Sequence, residues 1–226
     1  MHTVKLMFSS YTMPVQVKSP IINFFGLKTP FRCGLFGSSR TGKTTAIYDL
    51  LENKLFDSDF SMVYYCYPSI YENELNWHET LDYNIEYLDY IPTVEFLSEI
   101  EKDSLLILDD CWFACTQDVN IRDLFKVVSG KNNLSVFITS QNPYEGGTNA
   151  RTLRNNMNYF ILFRNLGDQQ INKRLTQQLG VLNQYNHAAS TIKSAYGSVF
   201  INMDVRLENE QMRVATRIFD QPIITA

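Results

Sequence analysis

Gly37, four further residues, and then Gly42-Lys43-Thr44 form a spacing suited to holding an oxygen-rich anion. Glycine lacks a Cβ, so successive backbone N–H groups can curl around the anion, and a helix starting at the end of the loop adds the partial positive charge of its N-terminus. In this spacing the Lys43 ammonium reaches the β- and γ-phosphates of a nucleoside triphosphate. The Thr44 hydroxyl is the right size to ligate Mg²⁺, and Thr45 or nearby backbone approaches the α-phosphate. The cradle comprises Gly37, Ser38, Ser39, Arg40, Thr41, Gly42, Lys43, Thr44 and Thr45. A short apolar strand from Phe31 leads into it and Ala46-Ile47-Tyr48-Asp49-Leu50-Leu51 follows as a helix, a context that an ordinary Gly/Ser turn lacks. Such a cradle specifies phosphate and leaves the reaction open.

The second group is Asp109-Asp110, which ends the apolar run Ser104-Leu105-Leu106-Ile107-Leu108. A continuous apolar run suits a parallel strand buried on both faces. A carboxylate at its C-terminal end, downstream of a phosphate loop, can hold Mg²⁺ directly or through water, and the next can polarise an attacking water as general base. Asp109 is assigned to the metal and Asp110 to the base; the bland reading is a pair of turn aspartates. Gln141 and Asn142 follow the strand Leu134–Ser140 to the same edge, where an amide can contact the γ-phosphate or the lytic water, or simply begin a loop. Arg151 and then Arg154, on a short helix after the loop 143–150, are candidates for an arginine delivered to a neighbouring subunit's γ-phosphate, against the alternative of a solvated turn.

Positioning these groups requires strands alternating with helices. Ser61–Tyr67 reads as a strand ended by Pro68, Ile85–Leu88 as a second, and Thr93 as the cap of a helix reaching about Ile100. Residues 120–129 have helical spacing with Gly130 as stop. Asn158–Phe163 is a strand, Asp168 opens a helix to Leu179, Gln184–Ser194 forms another, and strands Gly197–Asn202 and Met212–Ile218 close the chain, the last as a half-exposed edge. The stretch between the two phosphate-site groups is long enough for helix, strand and helix, so a further strand is expected between their strands in the sheet.

The 226 residues, 45% of them hydrophobic, can bury one large core, and one P-loop domain is expected over 1–226: an extension 1–30, a nucleotide-binding core 31–165, and C-terminal helices and edge strands 166–226. Cys33, Cys66, Cys111 and Cys115 are scattered without the spacing of a zinc site and read as reduced, mostly buried thiols. No run approaches the roughly 20 apolar residues of a membrane span, and the N-terminus lacks a signal peptide's apolar core, so an intracellular, soluble protein is expected. The net charge of −4 argues against coating nucleic acid by bulk electrostatics, yet it is segregated. Residues 1–48 carry six Lys and Arg and no acids, 49–110 two against sixteen, and 111–226 twelve against eight. The segregation reads as a solvated acidic face, or as a basic surface elsewhere that meets DNA or a neighbouring subunit.

From Phe31 to about Phe219 these residues resemble the viral genome-packaging ATPases of the FtsK-HerA superfamily, of the poxvirus, virophage and Polinton-like type. The most distinctive blocks are Leu124-Phe125 through Asn133–Asn142, Arg151-Thr152-Leu153-Arg154-Asn155-Asn156, Tyr159–Asn165, Asp168–Ile171 and Ala195-Tyr196-Gly197. The resemblance implies an α/β fold, a three-layer P-loop NTPase of RecA/ASCE type with a mainly parallel central sheet and added C-terminal edge strands. It implies ATP and Mg²⁺ as ligands, a ring of copies, typically a hexamer, and double-stranded DNA threaded into a preformed capsid through a capsid or portal-vertex partner, at an assembly site inside a host cell. It also strengthens the roles of Gln141 and Arg151. Two residues depart from the pattern: Asp110 stands where many members carry Glu, and Arg40 where a small residue is usual, either acting in cis on the γ-phosphate or pointing to solvent. The segments 71–77 and 131–133 are candidate DNA-contacting loops. A cellular HerA-like translocase shares the chemistry, and a small-molecule kinase would need an arginine-bearing lid. A GTPase switch would need Asn-Lys-x-Asp, whose final Asp is missing from both Asn53-Lys54-Leu55-Phe56 and Asn172-Lys173-Arg174-Leu175.

Overall fold

Runs that are apolar without alternation become strands with both faces covered. The computed structural model describes residues 26–67, 76–117, 132–164, 168–194, 196–207, 210, 213–216 and 223–224. In chain order the elements are β1 (Arg32–Phe36), α1 (Lys43–Glu52), β2 (Val63–Cys66), α2 (Trp77–Thr80), β3 (Ile85–Leu88), α3 (Val94–Glu99), β4 (Leu105–Leu108) and α4 (Trp112–Gln117). They continue with β5 (Ser135–Ser140), α5 (Gly147–Asn155), β6 (Tyr159–Phe163), α6 (Gln169–Gln178), α7 (Leu182–Thr191), β7 (Ser198–Asn202), β8 (Val214–Thr216) and β9 (Ile223–Ile224). These strands form one sheet in the order β3-β2-β4-β5-β1-β6-β7-β8-β9. The first six run parallel and the last three are added antiparallel.

The period of two along each strand splits the core into two layers. Cys33, Leu35, Val63, Tyr65, Ile107 and Phe137 face α1 and α2, where Ile47, Leu50, Leu51 and Trp77 meet them. Phe36, Leu106, Leu108, Val136, Ile138 and Leu162 face the other way, against residues of α3, α4, α5, α6 and α7 such as Leu97, Trp112, Leu153, Leu175 and Ala188. The result is the three-layer α/β sandwich expected. Two of its helices start on the caps read from sequence: Thr93 Oγ1 accepts from Phe96 N at 3.3 Å, and Asp168 Oδ1 accepts from Gln170 N at 2.9 Å.

Several expectations need correction. A strand does lie between the two phosphate-site strands, but it is β5, from beyond Asp110. The strand drawn from between the two motifs, β2, pairs on the far side of β4. The strand expected over 212–218 is described as β8 at Val214–Thr216, and there it is not a half-exposed edge: all three positions are buried and β9 pairs with it. The helix expected to reach Ser194 stops at Thr191, where Ile192 turns extended. Helix α4, with Trp112 and Cys115 buried, falls where the sequence showed only scattered thiols. The helix expected at 120–129 and most of the two candidate DNA loops lie outside the described residues.

None of the four cysteines is in a disulfide, and all four are buried. The acids of the 49–110 stretch largely face water, Glu52, Asp57, Asp59, Asp82, Glu86 and Asp89 among them, the solvated acidic face. No described helix is long and apolar enough to cross a membrane.

Opposite the phosphate loop, the entry to β1 is tied down by one arginine. Arg206 donates to the carbonyls of Lys28 and Thr29 at 2.8 and 3.0 Å, and pairs with Asp204, only 3% exposed, at 2.5 Å. Burial works to raise the Asp204 pKa, but hydrogen bonds and charge from Arg206 prevail and hold it below the ordinary carboxylate value. A carboxyl whose folded pKa is depressed stabilises the fold above its unfolded pKa of about 3.9 and stops doing so as pH falls through the folded value. Arg206→Ala is expected to lower stability by about 2 kcal/mol, between the values for exposed and buried pairs, because Arg206 is itself partly exposed. Chemical denaturation should show the deficit at pH 7 and its shrinkage below about pH 4.

Candidate functional site

The C-terminal ends of the parallel strands carry the site. Gly37 follows β1, and its N–H donates to Ser140 O at 3.1 Å, fixing the loop's root to β5. A Cβ at Gly37 would lie 2.6 Å from Phe163 Cβ, so no other residue fits without displacing β6. Across the loop, Thr41 Oγ1 donates to Ser38 O at 2.8 Å, and Lys43 Nζ donates to the carbonyls of Gly37 and Ser38 at 2.9 and 3.0 Å. The ammonium is thereby held over the loop instead of trailing in solvent. Burial lowers the Lys43 pKa, while Asp110 and Asp109 oppose the shift.

Gly42 has φ 96°, which glycine adopts freely, and it caps α1 with no side-chain hydrogen bond. The first turn of α1 contains no acid, so its unpaired N–H groups and dipole are left for an anion. Arg40 also has a left-handed backbone, φ 61°, and its side chain is exposed.

Asp109 leaves β4 and meets three hydroxyls from three elements. Its Oδ2 accepts from Thr44 Oγ1 at 2.8 Å and from Tyr65 OH at 2.5 Å; its Oδ1 accepts from Thr139 Oγ1 at 2.6 Å. Burial, and then Asp109 itself, push the Tyr65 pKa far upward, so the phenol stays a donor. Thr139 also holds the neighbouring residue, since its oxygen accepts from Asp110 N at 2.8 Å. One hydroxyl thus fixes both aspartates. Asp110 turns at φ 56°, a left-handed conformation that Asp tolerates better than most residues, and its side chain is exposed beside the loop. Gln141 Nε2 donates to Ser39 Oγ at 3.0 Å, joining the end of β5 to the phosphate loop.

The two arginines separate. Arg151 is exposed on α5. Arg154 turns inward at 8% exposure: Nη1 donates to Pro143 O, and its guanidinium stands 4.3 Å from the Tyr144 ring centroid, as does that of Arg174. Burial lowers its pKa, with Tyr144 opposing the shift. Arg154 holds its own loop, and of the two arginines only Arg151 is exposed.

The sequence singled out Lys43, Thr44, Asp109, Asp110 and Gln141, and the fold brings them together along the ends of β1, β4 and β5. It gave no notice of Thr139 or Tyr65. Each looks like an ordinary strand residue until register places it beside Asp109: Tyr65 pairs with Ile107, two residues short of Asp109, and Thr139 follows Ile138, which pairs with Leu108. On the other side of the loop, between α1, Phe163 and residues 192–194 and 196–198, lies a cleft of about 680 Å³.

No family model and no curated protein matches the chain. Solved structures do. The DNA-packaging ATPase B204 from Sulfolobus turreted icosahedral virus aligns with a TM-score of 0.52 at 14% identity, over 77% of this chain and 93% of that one. The genome packaging NTPase B204 from Sulfolobus turreted icosahedral virus 2, in complex with AMP, gives 0.54 at 12% identity over 76% and 92%. The flagellar accessory protein FlaH from Methanocaldococcus jannaschii gives 0.51 at 13% identity over 90% and 92%. At such identities the likeness establishes the fold, that of the P-loop ATPases.

The double role of Thr139 makes it the sharpest probe of this geometry. Thr139→Val keeps the side chain's shape but leaves one Asp109 oxygen and the Asp110 N–H without their partner. A stability loss of about 2 kcal/mol is expected, read from the urea midpoint, with Thr139→Ser recovering most of it.

Proposed function

We propose that this chain is an ATP-hydrolysing motor subunit that works in a ring of identical copies to thread double-stranded DNA into a preformed capsid, engaging a capsid or portal-vertex protein at an assembly site inside the host cell. In this reading residues 1–226 act as one P-loop domain. The observation that carries the ATPase part is the hydrogen-bonded set Thr44, Asp109, Thr139 and Asp110, with Gln141 reaching Ser39 from the next strand. The fold shared with viral packaging NTPases and the packaging-type blocks of the sequence support the rest.

In the hydrolytic step the loop N–H groups and Lys43 neutralise the β- and γ-phosphates, and Thr45 approaches the α-phosphate. The donor set at Asp109 is hard oxygen only, which fits Mg²⁺. Thr44 and Asp109 would hold that ion, which supplies charge neutralisation between the β- and γ-phosphates. Thr44 donates its proton to Asp109 and so keeps a lone pair that would be open to the cation, while two further hydroxyls hold the carboxylate in place. Asp110 takes the proton of the attacking water, and Gln141 orients that water and senses the γ-phosphate. Arg151 of the adjacent copy completes the charge stabilisation of the transferring phosphoryl group. Arg40 has no assigned step here.

FlaH aligns over most of this chain, so the fold also suits work that is not packaging, and a HerA-like cellular translocase remains the second reading. Double-stranded DNA decides between motors on DNA and other ATPases: ATP turnover is expected to rise when it is added, and no response would remove the DNA part of the proposal.

Asp110→Asn should keep ATP binding and lower turnover by about 10²–10⁴-fold. Arg151→Ala should lower it about 10³-fold or more. If the arginine acts in trans, mixing Arg151→Ala with Lys43→Ala subunits should restore part of the activity that neither has alone. An additive mixture showing no restoration would place Arg151 outside the neighbour's site.

A further inference from the structure

The phosphate loop lies mid-sheet, and its two flanks differ. On the β4 and β5 side, Asp109, Asp110, Thr139 and Gln141 crowd the loop, and Gln141 closes onto Ser39. On the β6 and β7 side the space is open: a cleft of about 680 Å³, within the usual size of a small-ligand site, bordered by Thr44, Thr45 and Ala46 of α1. A triphosphate whose γ end faces the aspartates must carry its nucleoside toward this cleft.

The lining of the cleft suits a nucleoside. Tyr196 is 70% exposed, an unusual position for a large aromatic side chain beside a polar loop. Phe163, at the end of β6, shares the wall with it. A Cβ on Gly42 would sit 3.8 Å from Tyr196 Cδ1 and 3.9 Å from Phe163 Cε1, so both rings stand against the last glycine of the loop. Ile192 adds an apolar contact where α7 ends and the chain turns extended. Apolar and aromatic surface against the α-phosphate end of a phosphate cradle is what a base and ribose require.

We infer that this cleft is the nucleoside site, with Tyr196 stacking on the base of the bound triphosphate and Phe163 and Ile192 supporting its apolar side. The inference rests on the reading of Gly37–Thr45 as a triphosphate cradle, and adds to it the residue that distinguishes a nucleotide from a bare phosphate chain. A ring that stacks contributes through its π-face, so phenylalanine can replace tyrosine there.

Calorimetric titration of the full chain with ATP and with inorganic tripolyphosphate tests it. Wild type should bind ATP more tightly than tripolyphosphate. Tyr196→Ala should weaken ATP about tenfold, the usual loss for one base–aromatic stack, and leave tripolyphosphate unchanged; Tyr196→Phe should bind both as wild type does. Unchanged ATP affinity in Tyr196→Ala, or an equal loss for both ligands, would overturn the assignment. So would a wild type that binds the two ligands equally, with the phosphate cradle left standing. A wild type that binds neither would overturn the cradle and this site with it.

Discussion

The carboxylate of Asp109 is the fixed point of the site. It ends a strand buried on both faces and accepts hydroxyls from the first turn of α1, from β2 and from β5. β2 and β5 flank β4 on opposite sides and α1 follows β1, so parallel register brings their donors to one strand end. A half-buried anion without such donors would suffer a large desolvation penalty, and three hydroxyls offset that without adding a countercharge. Lys43 feels the carboxylate's charge but donates to the loop carbonyls of Gly37 and Ser38, so the Asp109 oxygens keep negative charge available to a cation. The same arrangement ties Thr44 to β4, so the N-terminus of α1, and with it the phosphate loop, cannot drift from the aspartates.

Much of this was legible in the sequence, because its strongest signals are local. The glycine spacing from Gly37 to Lys43, the apolar run ending at Asp109, and the caps Thr93 and Asp168 each act over a few residues, and each is found where expected. What escaped reading depends on register between distant strands. Thr139 and Tyr65 are uninformative in their own segments, and only pairing of β5 and β2 with β4 turns them toward Asp109. Sheet order escaped for the same reason: length between motifs predicts that elements exist, not on which side of β4 they pair. Sequence placed Arg151 ahead of Arg154 for one and the same role, without notice that Tyr144 and the Pro143 carbonyl draw Arg154 inward and leave Arg151 outside.

That separation of the arginines has its own physical logic. Arg154 and Arg174 each stand 4.3 Å from the ring of Tyr144, whose hydroxyl donates to Gln178 Oε1 at 3.1 Å. The ring's negative face spreads between two like charges that would otherwise repel, and it pins the loop following Gln141 against α6. The loop between Gln141 and α5 is thereby held at both its Pro143 carbonyl and its Tyr144 side chain.

Sheet order also explains why the two ends of the cradle can serve different purposes. Asp109, Asp110, Thr139 and Gln141 sit at the ends of β4 and β5, inside the parallel half, where neighbouring strands on both sides fix each residue. The opposite cleft is walled by the last parallel strand, β6, and by the approach to β7, where the sheet turns antiparallel. Ile192, Lys193, Ser194, Tyr196 and Gly197 follow a helix that ends early and belong to no strand. The hydrogen-bonded flank of the phosphate loop thus lies where the fold is most constrained, and the open cleft where it is least.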